Sequence, residues 1–154
     1  MTSLCCDVLA ALKGKTLVTA ESCTGGGIGA ALTAIAGSSE IYKGGVISYT
    51  NAVKETVLGV NKETLEQFGA VSASVARQMA AGVRKLLRAD VAVSVTGLAG
   101  PGGDDFGNPV GTVYIGYEDD NRAFTKKFLF KGNRAEVRNQ TIEMALMIIL
   151  ENHQ

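Results

Sequence analysis

The sequence predicts an α/β domain: a three-layer α/β/α sandwich in which helices cover both faces of a mixed, mostly parallel β-sheet. Two observations lead to this prediction. Over the first two thirds of the chain, apolar runs rich in β-branched residues alternate with helix-like runs in the order β-α-β-α-α-β, which is typical of parallel strands joined by helices. Two further strand-like runs that flank a short polar turn then predict an antiparallel hairpin, and a last run predicts a helix.

The first half of the chain contains two predicted strands. Residues 16–20 form an apolar, β-branched run that predicts a buried strand, and residues 44–50 predict the second strand. Residues 3–13 have the spacing of a short amphipathic helix. Residues 24–36 predict a helix whose small side chains allow close packing on the sheet, and Gly37 is a typical helix end.

The middle of the chain predicts three helices and a third strand. Asn51 is a suitable N-cap for a helix over residues 52–59, and a short helix follows at residues 62–68. Residues 72–89 place apolar side chains on one face and basic ones on the other, so they predict a long helix that begins at a serine cap. Residues 90–97 are almost continuously apolar and predict a third buried strand.

The last third begins with a long loop. Residues 98–109 contain both prolines of the chain and several glycines, and loops of this length tend to be functional or disordered. Residues 110–119 and 122–131 predict the two strands of a hairpin. Asn133 is a suitable cap for a final helix over residues 134–152.

Length and composition fit one domain spanning residues 1–154, because 46% hydrophobic residues are enough for a single core. Lys plus Arg and Asp plus Glu each number 15, without a run of like charge, so neither a nucleic acid nor a membrane is an expected partner. The N-terminus does not resemble a signal peptide, and the three cysteines show no disulfide or metal spacing. We therefore expect a cytoplasmic protein.

The single histidine, His153, lies next to the C-terminus. This position argues against a Ser-His-Asp triad, a Cys-His pair and a histidine-rich zinc site. Acid-base chemistry would then depend on Lys, Tyr, Asp, Glu or Cys side chains. We expect neither a metal nor a cofactor.

Polar clusters follow the first three predicted strands, at residues 21–27, 49–54 and 96–103. In open α/β sheets, ligands bind beyond the carboxyl ends of the strands. The sequence therefore predicts that these three segments come together in one site.

The first cluster contains Ser22, Cys23 and Thr24 ahead of a glycine run. A helix that begins at Thr24 would offer free N–H groups and a positive dipole end to an anion or an oxyanion. Ordinary capping by Ser22 or Thr24 explains the same residues equally well. Without a histidine base, Cys23 is more typical of a buried or lining thiol than of a nucleophile.

The glycines of this cluster permit one further interpretation. Gly25, Gly27 and Ala30 satisfy the G-x-G-x-x-A pattern of dinucleotide-binding proteins, which leaves a Rossmann-type oxidoreductase as an alternative. The acidic residue that should follow the second strand is missing. Neither a phosphate-binding P-loop nor a G-x-S-x-G nucleophile elbow occurs.

The second cluster contains Tyr49 and Lys54. Lys54 lies in the first turn of a predicted helix, where the dipole disfavours a cation, so that a neutral lysine could act as a general base if burial lowers its pKa. A solvated lysine on an exposed helix face is the simpler alternative. Tyr49 offers a ring for stacking and a hydroxyl for orientation, so it is more typical of a cavity wall than of a catalyst.

The remaining candidates follow the third strand and open the last helix. Thr96 ends the strand, and the glycines after it, beginning with Gly97, allow the backbone to approach a ligand closely; a mobile surface loop explains them equally well. Arg134 and Arg138 share one helix face, and either suits a phosphate in bidentate geometry. Solvated arginines are the simpler alternative.

Several motifs, in order along residues 9–150, resemble the CinA C-terminal domain family. They are TAESCTGGGIGAALTAIAGSSEIYKGGVISYTNAVKETVLGV, GAVS, SVTGLAGPGG with PVGTVYIG, and GNRAEVRNQT before the last helix. Characterised members of this family include nicotinamide-nucleotide amidases. The chain looks like their stand-alone form, because larger members carry an additional molybdopterin-binding-like domain at the N-terminus.

The resemblance implies a serine amidohydrolase that deamidates nicotinamide mononucleotide and forms a homodimer. Ser22 matches the nucleophile, Lys54 matches the general base, and Tyr49 matches a tyrosine grouped with them at the substrate. The residues that the resemblance places around the substrate are Cys23, Thr24, Gly25, Gly26, Thr96, Gly97, Arg134 and Arg138. Backbone N–H groups of residues 24–26 would stabilise the oxyanion. A module of the same fold that binds a nucleotide without hydrolysing it is the alternative function.

Overall fold

The computed structural model describes all 154 residues. It contains five strands, six helices and one short 3-10 turn at Ser38–Glu40. The strands are β1 (Leu17–Glu21), β2 (Tyr42–Ile47), β3 (Val91–Gly97), β4 (Thr112–Glu118) and β5 (Ala123–Leu129). The helices are α1 (Thr2–Ala11), α2 (Gly27–Thr33), α3 (Asn51–Thr56), α4 (Lys62–Phe68), α5 (Ala73–Leu87) and α6 (Arg134–Glu151).

The five strands form one sheet in the order β2-β1-β3-β4-β5. β1 pairs in parallel with both β2 and β3, whereas β4 runs antiparallel to β3 and to β5. Four of the five strands therefore point in the same direction. The predicted mixed, mostly parallel sheet with a late antiparallel hairpin is confirmed. The carboxyl ends of β1, β2 and β3 lie side by side at one edge.

Two apolar cores, one on each face of the sheet, give the three layers. In β1, Leu17 belongs to the larger core, which α1, α2 and α6 cover. Its neighbour Val18 points the other way, into a smaller core under α4 and α5. This alternation follows from the two-residue period of a strand and explains why β1 is buried along its whole length. No helix has the length and apolar character needed to cross a membrane.

Element boundaries differ from prediction at the site. Residues 24–26 are not helical, because Gly25 and Gly26 have positive φ angles of 58° and 99°, and α2 begins only at Gly27. β2 ends at Ile47 instead of residue 50. The residues after Ile47 leave the sheet and form the connection to α3, whose N-cap is Thr50 and not Asn51.

Candidate active site

The ends of β1, β2 and β3 surround a cavity of about 400 Å³, a size typical of small-molecule sites. The three polar clusters of the sequence all contribute to its wall, as predicted. Loop residues 103–106, Ala70 and Val71 ahead of α5, and the first residue of α6 complete the wall. The lining side chains most relevant to chemistry are Ser22, Cys23, Tyr49, Lys54, Thr96, Asp104, Asp105 and Arg134.

Two loops that lead into the cavity wall, the one after β1 and the one after β2, are each fixed by a backbone hydrogen bond just past the end of the strand. Ser22 directly follows β1, and its N–H donates a 3.0 Å hydrogen bond to the carbonyl of Val95 in β3. Ser48 directly follows β2, and its N–H donates a 2.9 Å hydrogen bond to the carbonyl of Glu21. The two loops therefore leave the sheet from fixed positions on neighbouring strands.

Lys54 is 1% exposed although it is a lysine. Its Nζ donates hydrogen bonds to Ser22 Oγ at 2.9 Å and to the carbonyl of Ser48 at 2.8 Å. The alternative of a solvated lysine is wrong. Burial lowers the pKa of the Lys54 amine from 10.5 to about 8, against a smaller raising effect of Cys23. Roughly one amine in ten is therefore neutral at pH 7.

The thiol of Cys23 is buried, and burial raises its pKa to about 12. It is consequently protonated at neutral pH, and a protonated thiol is a poor nucleophile. Cys23 thus has the character of a lining residue. The pKa values of its thiol and of the Lys54 amine move in opposite directions because burial disfavours the charged form of each group.

Glu21 is a site residue that the sequence analysis did not assign. Its buried carboxyl group accepts hydrogen bonds from the N–H groups of Ile28 (2.8 Å) and Gly29 (3.0 Å) at the start of α2. It also accepts bonds from the hydroxyls of Thr24 (2.7 Å) and Thr19 (3.2 Å). This role of Glu21 could have been predicted from the sequence, because an acidic residue beside the start of a helix is stabilised by the positive end of the helix dipole.

Neither of the two interpretations left open for this helix start is the one observed. Glu21 accepts from its N–H groups in place of an external anion, and no side chain of Ser22 or Thr24 caps it. Gly25 N–H is also used, since it donates to the carbonyl of Ser22 at 3.1 Å. The N–H groups of Cys23, Thr24 and Gly26 make no hydrogen bond to a backbone carbonyl. Of these three residues only Cys23 lines the cavity.

Thr24, Gly25 and Gly26 were predicted at the substrate, but none of them lines the cavity. Thr24 is fully buried and bonded to Glu21. The two glycines supply the left-handed backbone that turns the chain from Ser22 into α2. Their role in this structure is to shape the loop.

Thr96 and Gly97 line the cavity as predicted. The Thr96 hydroxyl donates a 2.8 Å hydrogen bond to the carbonyl of Ala70, so it joins the end of β3 to the loop before α5. A Cβ atom on Gly97 would lie 2.6 Å from Val113 Cγ2. Glycine is required at this position for packing against β4.

The two arginines have different surroundings. Arg134 lines the cavity, and its guanidinium donates to the carbonyl of Gly100 at 2.8 Å and to the Tyr49 hydroxyl at 2.9 Å. Arg138 does not line the cavity; it donates to the carbonyls of Cys23 and Thr24, both at 3.1 Å. Arg134 is therefore placed to meet a ligand, and Arg138 holds the loop that carries Ser22.

Tyr49 contacts Arg134 and makes no hydrogen bond to Ser22 or Lys54. Its side chain is 57% exposed at the mouth of the cavity. These contacts place it in the cavity wall, as its residue type indicated, and not in the proton-transfer pair with which the resemblance grouped it.

The loop between β3 and β4 closes one side of the cavity and is fixed by hydrogen bonds. Asp104 accepts bonds from the N–H of Phe106 (3.1 Å) and from the side-chain amide of Asn108 (2.8 Å). The same amide donates to the carbonyl of Val71 at 3.1 Å. Asp105 lines the cavity without a hydrogen bond or ion pair of its own. No group of three or more His, Cys, Asp or Glu side chains is arranged to hold a metal ion.

Comparison with known proteins gives consistent matches. The CinA C-terminal domain model matches residues 2–153. A CinA-like protein of Rippkaea orientalis is 49% identical over 137 residues, which are 87% of this chain and 33% of that protein. A CinA-like protein of Thermosynechococcus vestitus is 54% identical over 123 residues, 79% of this chain and 30% of that protein. The chain spans about a third of the length of the curated relatives it matches.

Solved structures agree over almost the whole chain. A CinA superfamily protein from Klebsiella pneumoniae superposes with a TM-score of 0.95 at 36% identity, covering 98% of this chain and 96% of that one. The competence/damage inducible protein of Agrobacterium tumefaciens gives a TM-score of 0.95 at 41% identity, covering 99% and 95%. The sequence motifs, the fold and these matches agree, and the chain belongs to the CinA C-terminal domain family.

Proposed function

We propose that this protein is an amidohydrolase that converts nicotinamide mononucleotide to nicotinate mononucleotide and ammonia. Ser22 is the nucleophile and Lys54 is its base. The observation that carries the proposal is the 2.9 Å contact between Lys54 Nζ and Ser22 Oγ at the wall of the cavity. A buried amine with a lowered pKa beside a serine hydroxyl is an arrangement suited to a base-activated nucleophile.

The first half of the reaction forms an acyl-enzyme. Neutral Lys54 takes the proton of the Ser22 hydroxyl as its oxygen attacks the carboxamide carbon, and the carbonyl oxygen becomes an oxyanion. The free N–H of Cys23, next to the nucleophile, is the best-placed backbone donor for that oxyanion. The Lys54 ammonium then returns the proton to the leaving nitrogen, the C–N bond breaks and ammonia departs.

The second half reverses these roles. Lys54 takes a proton from water, the hydroxide attacks the ester carbon, and the ester bond breaks as the Ser22 oxygen regains its proton from Lys54. The carboxylic acid product then gives its proton to solvent and leaves as the carboxylate. In both halves of the reaction, one N–H of the Lys54 amine stays hydrogen-bonded to the carbonyl of Ser48. Lysine thus performs both proton transfers for which other serine hydrolases use histidine.

The cavity wall fits the two charges of this substrate. Arg134 lies at the mouth with guanidinium N–H groups beyond those given to Gly100 and Tyr49, and suits the phosphate. The exposed ring of Tyr49 suits the face of the cationic pyridinium. Asp105 adds an uncompensated negative charge to the same wall.

The direct test is ammonia release from nicotinamide mononucleotide by the purified chain. Turnover is expected for the wild type and for the matched control Ser38→Ala, which replaces a buried serine that does not line the cavity. Ser22→Ala and Lys54→Met are expected to lose activity by at least about 10³-fold while remaining folded. Full activity of Ser22→Ala would remove Ser22 as the nucleophile.

A binding module of the same fold gives a different result. Such a protein would bind the nucleotide, detectable by calorimetry, and release no ammonia. Titratable NAD(P) binding would favour the oxidoreductase alternative. The homodimer and the stand-alone form implied by the resemblance stay predictions, as do the single domain and the cytoplasmic location expected from composition. Sedimentation analysis of the purified chain tests the homodimer.

A further inference from the structure

Ser48 carries the one buried side-chain polar atom of the chain that has no hydrogen-bond partner. The residue is fully buried, and both of its backbone groups are used: its N–H donates to Glu21 and its carbonyl accepts from Lys54. A buried hydroxyl without a partner is destabilising, and such groups in native proteins need an explanation. Ser48 Oγ belongs to the residue that already contacts the Lys54 amine.

Lys54 has the complementary deficit. An ammonium group has three N–H donors, and the chain supplies two acceptors, Ser22 Oγ and the carbonyl of Ser48. The side chain is 1% exposed, so solvent access to the third N–H is slight. One unmatched donor and one unmatched hydroxyl therefore occur on two residues that are already in contact.

We propose that the Ser48 hydroxyl is the third hydrogen-bond acceptor of the Lys54 ammonium, and that it thereby sets the pH at which this amine becomes a base. Rotation about the Cα–Cβ bond gives the serine oxygen three staggered positions, so it has alternatives to the unpartnered one. The contact is stronger with the ammonium than with the neutral amine, because a hydrogen bond to a charged group is stronger than one between neutral groups. Ser48 is a positioning residue, because it acts through Lys54 and touches no reacting atom. The inference rests on the proposed role of Lys54.

The hydrogen bond from Lys54 to the Ser48 hydroxyl changes the pKa of the amine in a direction that depends on whether it stabilises the charged or the neutral form. An acceptor stabilises the ammonium and raises the pKa of Lys54 relative to an equally buried amine without it. Burial lowers the pKa, and the Ser48 hydroxyl keeps it from falling further. Removing the hydroxyl should therefore move the loss of the proton to lower pH.

Other ionisable groups near Lys54 stay constant in this comparison. They lie on every segment that surrounds the amine: the loop after β1, the connection after β2, the amine's own helix, the loop after β3 and the start of α6. These groups are Glu21, Cys23, Tyr49, Glu55, Asp104, Asp105 and Arg134. A Ser48→Ala substitution removes a neutral atom and alters none of these charges.

The test is an NMR titration of the full chain with isotopically labelled lysine, which follows the Lys54 side chain between pH 6 and pH 11. The Lys54→Met variant assigns the signal by its disappearance. In Ser48→Ala the midpoint is expected to fall by roughly one pH unit, the size expected for one hydrogen bond to a charged group. Ser48→Thr, which keeps the hydroxyl, should stay near the wild type, as should the buried-serine control Ser38→Ala.

The outcomes separate this inference from the proposed function, because the titration needs no turnover. A Ser48→Ala midpoint within about 0.2 units of wild type, or above it, overturns the role of Ser48 even if the protein releases ammonia. A shifted midpoint in a protein that releases no ammonia upholds it and removes the amidase. Where ammonia is released, the acid limb of the kcat/KM profile should move by the same amount as the NMR midpoint.

Discussion

Replacing Lys54 by methionine should stabilise the fold while abolishing the proposed activity. Methionine keeps a long unbranched side chain in the same space and removes the amine that burial disfavours. Of the two hydrogen-bond partners of Nζ, Ser22 Oγ lies at the cavity, where solvent can replace the lost bond, whereas the carbonyl of Ser48 is buried and its lost bond offsets part of the gain. The substitution therefore separates the catalytic value of the amine from its cost to folding.

The magnitude follows from the lowered pKa. The Lys54 amine titrates at about 8 in the folded chain and at 10.5 when unperturbed, so below pH 8 both states are protonated and folding carries the full penalty of a buried ammonium. A difference of about 2.5 pKa units corresponds to roughly 3 kcal/mol. Between pH 8 and pH 10.5 the unfolded chain binds more protons, so wild-type stability should rise with pH through this window as the penalty disappears.

The assay is urea unfolding of the wild type and of Lys54→Met at pH 7 and at pH 10.5. At pH 7 the variant is expected to be more stable by up to about 3 kcal/mol, reduced by the lost hydrogen bonds. At pH 10.5 the gap should largely close, and groups such as the tyrosines cancel because both proteins carry them. Equal or lower stability of the variant at pH 7, with no change in the gap at high pH, would refute the assignment of Lys54 as a buried amine of lowered pKa.

The remaining predictions concern the pH profile, the arginines, the helix cap and the loop. Wild-type kcat/KM should rise with pH to a plateau above about 8, with only about a twofold gain from pH 8 to pH 10; an amine of unperturbed pKa would give a gain of roughly 70-fold. Arg134→Lys should raise KM for the mononucleotide by about tenfold and have little effect on the nucleoside that lacks the phosphate. Arg138→Lys should lower kcat for both substrates, because Arg138 holds the loop that carries Ser22. Steady-state kinetics with the two substrates measures both effects. Glu21→Gln should lower unfolding stability by about 2–4 kcal/mol in urea titrations, because two donors of α2 and the threonine hydroxyls lose part of their acceptor. Asn108→Ala should raise KM by several-fold and speed chymotrypsin cleavage after Phe106, since the Asn108 amide ties the loop to Val71; wild-type protection from this cleavage in the variant would contradict the role.

The layers and strand directions could be predicted because each depends on local pattern. The apolar, β-branched runs of β1 and β3 have no solvent-facing positions, which is typical of strands covered on both faces. The caps Ser72 and Asn133 were also predicted, and each side chain accepts the expected backbone bond in the structure. Each of these features has its physical cause within a few neighbouring residues, so the sequence of that stretch is enough to predict it.

The surroundings of single side chains could not be predicted, because they depend on contacts between distant segments. The surroundings of the buried Lys54 include Ser22, 32 residues earlier in the chain. Arg134 and Arg138 have different roles because different backbone carbonyl groups face the first and second turns of α6. Neither an external anion nor a Ser22 or Thr24 cap, the two interpretations left open for the helix start, is observed, because Glu21 reaches it across seven residues.

In the proposed mechanism Lys54 is the base and Ser22 the nucleophile, and the arrangement of the site suits a lysine to a role for which other serine hydrolases use histidine. The base must be neutral near pH 7, and a solvated lysine would be neutral in fewer than about one molecule in a thousand. Burial at the end of β1 raises this fraction to roughly one in ten, and the carbonyl of Ser48 holds the amine on the nucleophile while it changes charge. Further burial would give more neutral amine but a weaker base, so an acceptor for the ammonium is as necessary as the apolar surroundings. The unpartnered hydroxyl of Ser48 lies on the residue where such an acceptor is needed.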